Sequence, residues 1–143
     1  MKYLAVDYGQ KRVGLAIGDE QTGFAHPQGL ILRKTRNFFW QEFFRIMNEQ
    51  QPDAIVVGLP LHQDGSECLA TRQCVNFAAS LKRRSALPIF LVNELLTSFE
   101  AEQDLRQLGL NPIKMKKALD QQAAVRIMQT FLAQPLAQRT PYE

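Results

Sequence analysis

The sequence predicts a mixed α/β fold, and three observations carry that prediction. The runs Lys2 to Asp7, Ala54 to Gly58 and Ile89 to Val92 read as short strands: the apolar residues of the first face both ways, as at the centre of a sheet, and the second is a β-branched run buried by its length and flanks. Amphipathic stretches long enough for right-handed crossovers separate these runs, which predicts that the three strands are parallel. A further run, Val13 to Gly18, follows the first strand after a turn and predicts an antiparallel hairpin.

The elements follow in order. Lys2 to Asp7 is the first strand, Asp7 to Arg12 the turn, and Val13 to Gly18 the returning strand. A third strand is expected around Gly29 to Arg33. Asn37 to Gln50 reads as a helix with Phe39, Phe43, Ile46 and Gln50 along one side, stopped by Pro52. Phe38, Phe39, Trp40, Phe43 and Phe44 crowd this helix. One face cannot bury five rings, so a partly exposed rim or a dimer surface is expected. Ala54 to Gly58 is β-branched and ends in Gly-Leu-Pro. Glu67 to Arg84 places Ala70, Cys74, Phe77, Ala78 and Leu81 on one helical stripe. Ile89 to Val92 follows Pro88. Thr97-Ser98-Phe99-Glu100 matches a capping box that opens a helix ending at Gly109. A basic stretch after Asn111-Pro112, read as a loop, leads to a last helix from about Lys117 to Ala133, with Asp120, Ala124, Ile127 or Met128, and Phe131 as its stripe.

Composition removes several classes. The 143 residues fit one domain, 1–143, and 45% hydrophobic with 22% charged residues is globular usage. No run approaches the roughly 18 apolar residues of a membrane span, and Asp7 comes too early for a signal peptide, so a cytoplasmic protein is expected. Cys68 and Cys74, six apart on a helix, predict neither a disulfide nor a metal knuckle. Seventeen Lys and Arg against fourteen Asp and Glu leave a charge of +3, which by itself names no partner.

Sites in open α/β sheets form beyond the carboxyl ends of the parallel strands. Asp7 ends the first such strand here, Gly58-Leu59-Pro60 the second and Asn93-Glu94 the third. Asp120 lies on the apolar side of the last helix. Buried carboxylates need a partner or a cation, and several together repel. A divalent ion relieves both, and hard oxygen donors suit Mg²⁺ or Mn²⁺. Taken singly, each acid has a plainer reading: an Asx turn for Asp7, a basic partner for Glu94, a helix-dipole role for Asp120. Taken together, they predict a site in which three carboxylates hold two ions for attack on a phosphodiester.

Asp7-Tyr8-Gly9-Gln10-Lys11-Arg12-Val13-Gly14-Leu15-Ala16 resembles the opening motif of the YqgF family, also called RuvX, of the RNase H-like superfamily. Val56-Val57-Gly58-Leu59-Pro60 with Asp64-Gly65-Ser66 resembles its second motif. Glu94, followed by Thr97-Ser98 and Glu100-Ala101-Glu102, resembles the third, and Asp120 with Ala123-Ala124 the fourth. The four run in order over almost the whole chain. The resemblance implies an RNase H-like fold, with a mixed central sheet of about five strands and helices on both faces. It also implies that Asp7, Glu94 and Asp120 are the metal ligands. The third motif usually reads Asp-Glu-Arg, whereas this chain has Asn93-Glu94-Leu95. His62 stands where the family often has Asn.

The function implied is metal-dependent endonucleolytic hydrolysis, with pre-16S rRNA processing in ribosome assembly or resolution of branched DNA as its setting, by a monomer or homodimer. Lys11 and Arg12 are expected on a substrate phosphate, as is His62 unless it is a plain loop histidine. Lys114, Lys116 and Lys117 are expected on the nucleic-acid backbone from a mobile loop, with a solvated face as the equal alternative. Lys82-Arg83-Arg84 ends a helix, where cations are favoured anyway, and is assigned no partner; Arg33, Lys34 and Arg36 stay undecided. Base stacking by the rings of the first helix is the less favoured alternative to core packing with an exposed rim or dimer surface. Two other classes compete. A sugar-kinase or actin-like ATPase also opens with Asp-x-Gly and a glycine hairpin, but it needs two domains and this length supplies one. A non-catalytic nucleic-acid-binding module would fit the loss of the residues flanking Glu94.

Overall fold

A computed structural model describes residues 1–95 and 112–143, with the side chains of 1–94 and 122–143. The chain order is β1 (Lys2–Tyr8), β2 (Arg12–Asp19), β3 (Ala25–Leu32), α1 (Arg36–Gln50), β4 (Ala54–Leu61), α2 (Leu69–Arg84), β5 (Ile89–Leu95), α3 (Pro112–Ala133), a short 3₁₀ turn (Leu136–Gln138) and β6 (Thr140–Pro141). The six strands form one sheet in the order β3-β2-β1-β4-β5-β6. β1, β4 and β5 run parallel, while β2, β3 and β6 pair antiparallel to their neighbours.

Alternation along the central strands builds two cores from one sheet. Leu4, Val6, Val13, Leu15, Ile17, Ile55 and Val57 pack with Phe39, Phe43, Cys74, Phe77 and Leu81 of α1 and α2. Tyr3, Ala5, Ala16, Ala54, Val56 and Val92 pack with Ala124, Val125, Ile127, Met128 and Phe131 of α3 on the other side. The second face is lined by small residues, so α3 lies close. A Cβ on Gly58 would stand 2.5 Å from Ile127 Cδ1, and one on Gly18 would stand 2.4 Å from Met128 Cγ. Large side chains at these two positions would push α3 off the sheet.

The expected layout is present, with differences at the edges. The sixth strand is only two residues long, too short to show a period, and its pairing with Phe90 and Leu91 is tertiary. β4 and β5 run on to Leu61 and Leu95, so Glu94 lies inside its strand. α3 begins at Pro112, so Lys114, Lys116 and Lys117 stand on helical backbone, which corrects the expected basic loop. Proline is at home in the first turn, where its missing N–H has no acceptor to lose. Phe39 and Phe43 are buried while Phe38, Trp40 and Phe44 are half-buried, as the crowding of five rings required. The helix expected from Thr97 to Gly109 lies outside the described residues.

Candidate nuclease centre

Asp7 is the penultimate residue of β1, half-buried and directly opposite Gly14. It shares the parity of Tyr3 and Ala5 and so belongs to the α3 face. Arg12, also half-buried, lies two residues from Gly14 on that face, diagonal to Asp7. Glu94 has the parity of Phe90 and Val92 and faces the same way. β4 lies between the two acids, with Val57 beside Val6 and Pro60 beside Glu94. Two strand spacings and two residues of rise put the backbones of Asp7 and Glu94 about 12 Å apart. Gly58, where Ile127 presses on the sheet, sits on the strand between them at the level of Asp7.

Glu94 carries an electrostatic cost. Burial pushes its carboxyl above the ordinary range, and a hydrogen bond from the Thr130 hydroxyl and the charge of Arg126 only partly offset this. Its Oε1 is buried and has no hydrogen-bond partner. An orphaned carboxylate oxygen is a costly thing to bury, and a hard cation satisfies it. The donor set of Asp7 and Glu94 therefore fits Mg²⁺ or Mn²⁺. Asp7 also acts across the sheet: burial, followed by the Asp7 charge, raises the Cys74 thiol to about 12, so Cys74 is inert core as its stripe predicted.

The remaining candidates are placed as follows. Lys11 is exposed in the β1–β2 turn. His62 is exposed at the head of a tight turn in which Gly65 N–H donates to His62 O (2.9 Å) and His62 N–H donates to Ser66 O (3.0 Å). Asp64 accepts from Ser66 Oγ and the Ser66 amide, and these bonds hold its carboxyl below the usual range. Asp120 stands seven residues before Ile127 on α3, about 10 Å along the axis. Its side chain, like those of Lys114, Lys116 and Lys117, lies outside the described residues. Among the described residues no group of three or more His, Cys, Asp or Glu is gathered as a metal cluster.

Two features of the site escaped the sequence. Arg126 and Thr130 reach Glu94 from α3. Their i, i+4 spacing was visible, but nothing marked which strand they would meet. The replacement of the family's acid at position 93 also has a clear structural meaning. Asn93 is exposed and shares the parity of Ile89 and Leu91, which pack toward α1 and α2. The lost acid thus stood on the opposite face from Glu94.

This fold is that of the RuvC-type resolvases. Thermus thermophilus RuvC, solved with a Holliday junction substrate, superposes with a TM-score of 0.62 at 12% identity, covering 99% of this chain and 100% of that one. The fowlpox virus resolvase, also solved with junction DNA, gives 0.53 at 12% identity, covering 94% of this chain and 100% of that one. The family follows from the sequence matches. The model of the RuvX family, described as Holliday junction resolvase, matches residues 1–134. A protein of Nitratidesulfovibrio vulgaris (Miyazaki F) is 48% identical over 99% of each chain, and one of Maridesulfovibrio salexigens is 50% identical over 93% of this chain and 98% of its own. Both carry the name "Putative pre-16S rRNA nuclease". The chain belongs to the RuvX family.

Proposed function

We propose that this protein is a divalent-metal-dependent endonuclease that hydrolyses nucleic-acid phosphodiesters, with the 5′ region of pre-16S rRNA as substrate in the cytoplasm. The observation that carries the reading is the buried, unpartnered Oε1 of Glu94 on the same sheet face as Asp7. Asp7, Glu94 and Asp120 would hold the cation or pair of cations. A bound divalent cation supplies a lowered water pKa and charge stabilisation at the leaving oxygen.

The protein's own contribution is positional. The carboxylates sit on strands and a helix, which fixes them better than loops would. Thr130 and Arg126 favour the ionised form of Glu94 and offset part of the cost of its burial. Lys11 and Arg12 flank Asp7 along the chain and would bind phosphates of the strand being cut. His62 would add a contact from the turn after β4, and Lys114, Lys116 and Lys117 would add charge from the first turns of α3.

The description of the RuvX family and the junction complexes of its fold neighbours favour branched DNA as a second reading. One experiment separates them. Purified protein with Mg²⁺ or Mn²⁺ is given a pre-16S rRNA 5′ leader or a four-way DNA junction. The leader is expected to be cut and the junction left intact. Asp7→Asn and Glu94→Gln are each expected to lose more than about 100-fold in rate. Unchanged cleavage by both variants would overturn the site, and binding without cleavage under every metal would make the protein a binding module.

A further inference from the structure

The sheet face opposite the carboxylates carries a groove of about 400 Å³ between α1 and α2, reaching up to the β1–β2 turn. Its lining includes Arg33, Arg36, Arg83 and Arg84 and contains no Asp or Glu. Four guanidiniums exceed the net charge of the whole chain, which is +3. None of the four has an ion-pair partner among the described residues. By contrast, Arg45 pairs with Glu42 and Glu49, and Arg139 with Glu20.

Ordinary structural roles account for part of this set only. Arg33 donates to the carbonyls of Gly9 (2.9 Å) and Gln10 (3.1 Å) and lies over the Tyr8 ring at 4.6 Å. Arg84 donates to Ser80 O (3.1 Å) and lies over Trp40 at 4.4 Å. Arg83 reaches Ser80 Oγ (3.1 Å), and both end α2, where the helix dipole favours cations. Arg36 has no such account. It is exposed at the start of α1, the end where the dipole disfavours a cation, and the first turn holds no acid. Leaving Arg36 facing Arg83 and Arg84 across one groove costs free energy through like-charge repulsion, and an anion in the groove reverses the sign.

We propose that this groove binds the phosphate backbone of a single nucleic-acid strand. Planar guanidiniums bind phosphate oxygens in pairs, and the half-buried Trp40, with the amides of Gln73 and Asn76, adds the amphipathic wall such strands use. The groove runs up to Gln10, three residues from Asp7, so a strand leaving the carboxylate edge over the turn enters it directly. That the strand is the flank of the cleaved RNA rests on the nuclease reading. Binding itself does not.

Trp40 is the only tryptophan of the chain, so its emission reports on the groove alone. The full-length protein is titrated in EDTA with a single-stranded 12-nucleotide RNA, with adenosine monophosphate and with inorganic phosphate, following both Trp40 emission and the anisotropy of labelled RNA. The RNA is expected to change Trp40 emission as it binds, with the mononucleotide at least about 100-fold weaker. Arg36→Ala/Arg83→Ala is expected to weaken RNA binding at least about 10-fold and to lower the salt slope by about 1.4, two contacts at about 0.7 each. Lys82→Ala removes a charge from the same turn of α2, but there the ammonium lies over Tyr142, and less than a twofold change is expected. RNA binding without a Trp40 response, or a double variant no weaker than Lys82→Ala, would overturn the proposal. A mononucleotide as tight as the RNA would overturn the strand in favour of a free nucleotide. Because cleavage is not read, failure here leaves the carboxylate site standing, and loss of cleavage in Asp7→Asn leaves the groove standing.

Discussion

The two faces of this sheet are built from alternate residues of the same strands, yet they solve different problems. Toward α1 and α2 the strands present Leu, Val and Ile, and the helices answer with rings: Phe39 and Phe43 each meet Phe77 edge-to-face, with Tyr8 and Trp40 stacked on Phe77. Bulk keeps these helices away from the sheet and leaves the arginine-lined groove between them. Toward α3 the strands present alanine, valine and glycine, and the helix closes until Ile127 and Met128 nearly touch backbone. That closeness buries Glu94. A face of small residues thus produces a desolvated acid, and a face of large ones produces an open cationic groove.

The sharpest way to break the comparison is to delete one ring from each face. Phe43 and Phe131 are both fully buried, so Phe43→Ala and Phe131→Ala should each cost about 3–5 kcal/mol in urea unfolding. They should differ in function: Phe131→Ala loosens α3 and lowers cleavage per folded molecule, whereas Phe43→Ala leaves it close to wild type. Equal losses of specific activity would mean that α3 placement is not what the site depends on. Next in size is Gly58→Val, which forces side-chain bulk into the space of Ile127. It should cost about 1–3 kcal/mol. Trimming Ile127 to alanine in the same protein should recover part of that loss.

Thr130→Val tests the support of Glu94 at nearly constant volume. Without the hydroxyl the carboxylate loses its donor, and the Mg²⁺ concentration giving half-maximal cleavage should rise about 10-fold. The smallest effect concerns the far end of the α3 face. Arg139 is buried and paired with the partly exposed Glu20 at 2.8 Å. The hydrogen bond from Arg139 lowers the Glu20 carboxyl below its ordinary 4.5. A depressed acid stabilises the fold above its unfolded pKa, and that contribution fades as the pH falls through the folded value. Glu20→Gln should therefore lower the melting temperature at pH 7, by about 1 kcal/mol of stability after solvent screening. It should flatten the loss of stability below pH 4.5.

Much of this was legible in the chain. Val56 and Val57 flanked by Gly58 and Pro60, and Leu91 and Val92 before Glu94, mark buried strands by composition alone. Glu94 after the latter, with Asp7 at the end of the first strand, marks the carboxyl edge. The start of α3 was not legible, because Lys114, Lys116 and Lys117 have no apolar period, while Pro112 suits a first turn as well as a loop. β6 was hidden for a simpler reason: Thr140 and Pro141 form a strand only because Phe90 and Leu91 offer them an edge.

The sequence by itself determined the strand and helix types, the order that makes β1, β4 and β5 parallel, and the presence of Asp7 and Glu94 at one edge. These follow from period and chain order, which are local. Only the tertiary structure decided that Thr130 and Arg126 meet Glu94, and that Arg36 shares a groove with Arg83 and Arg84. Such contacts join residues about 30 to 50 positions apart. They depend on how near each helix can approach the sheet, which is set by the size of side chains on the face between them.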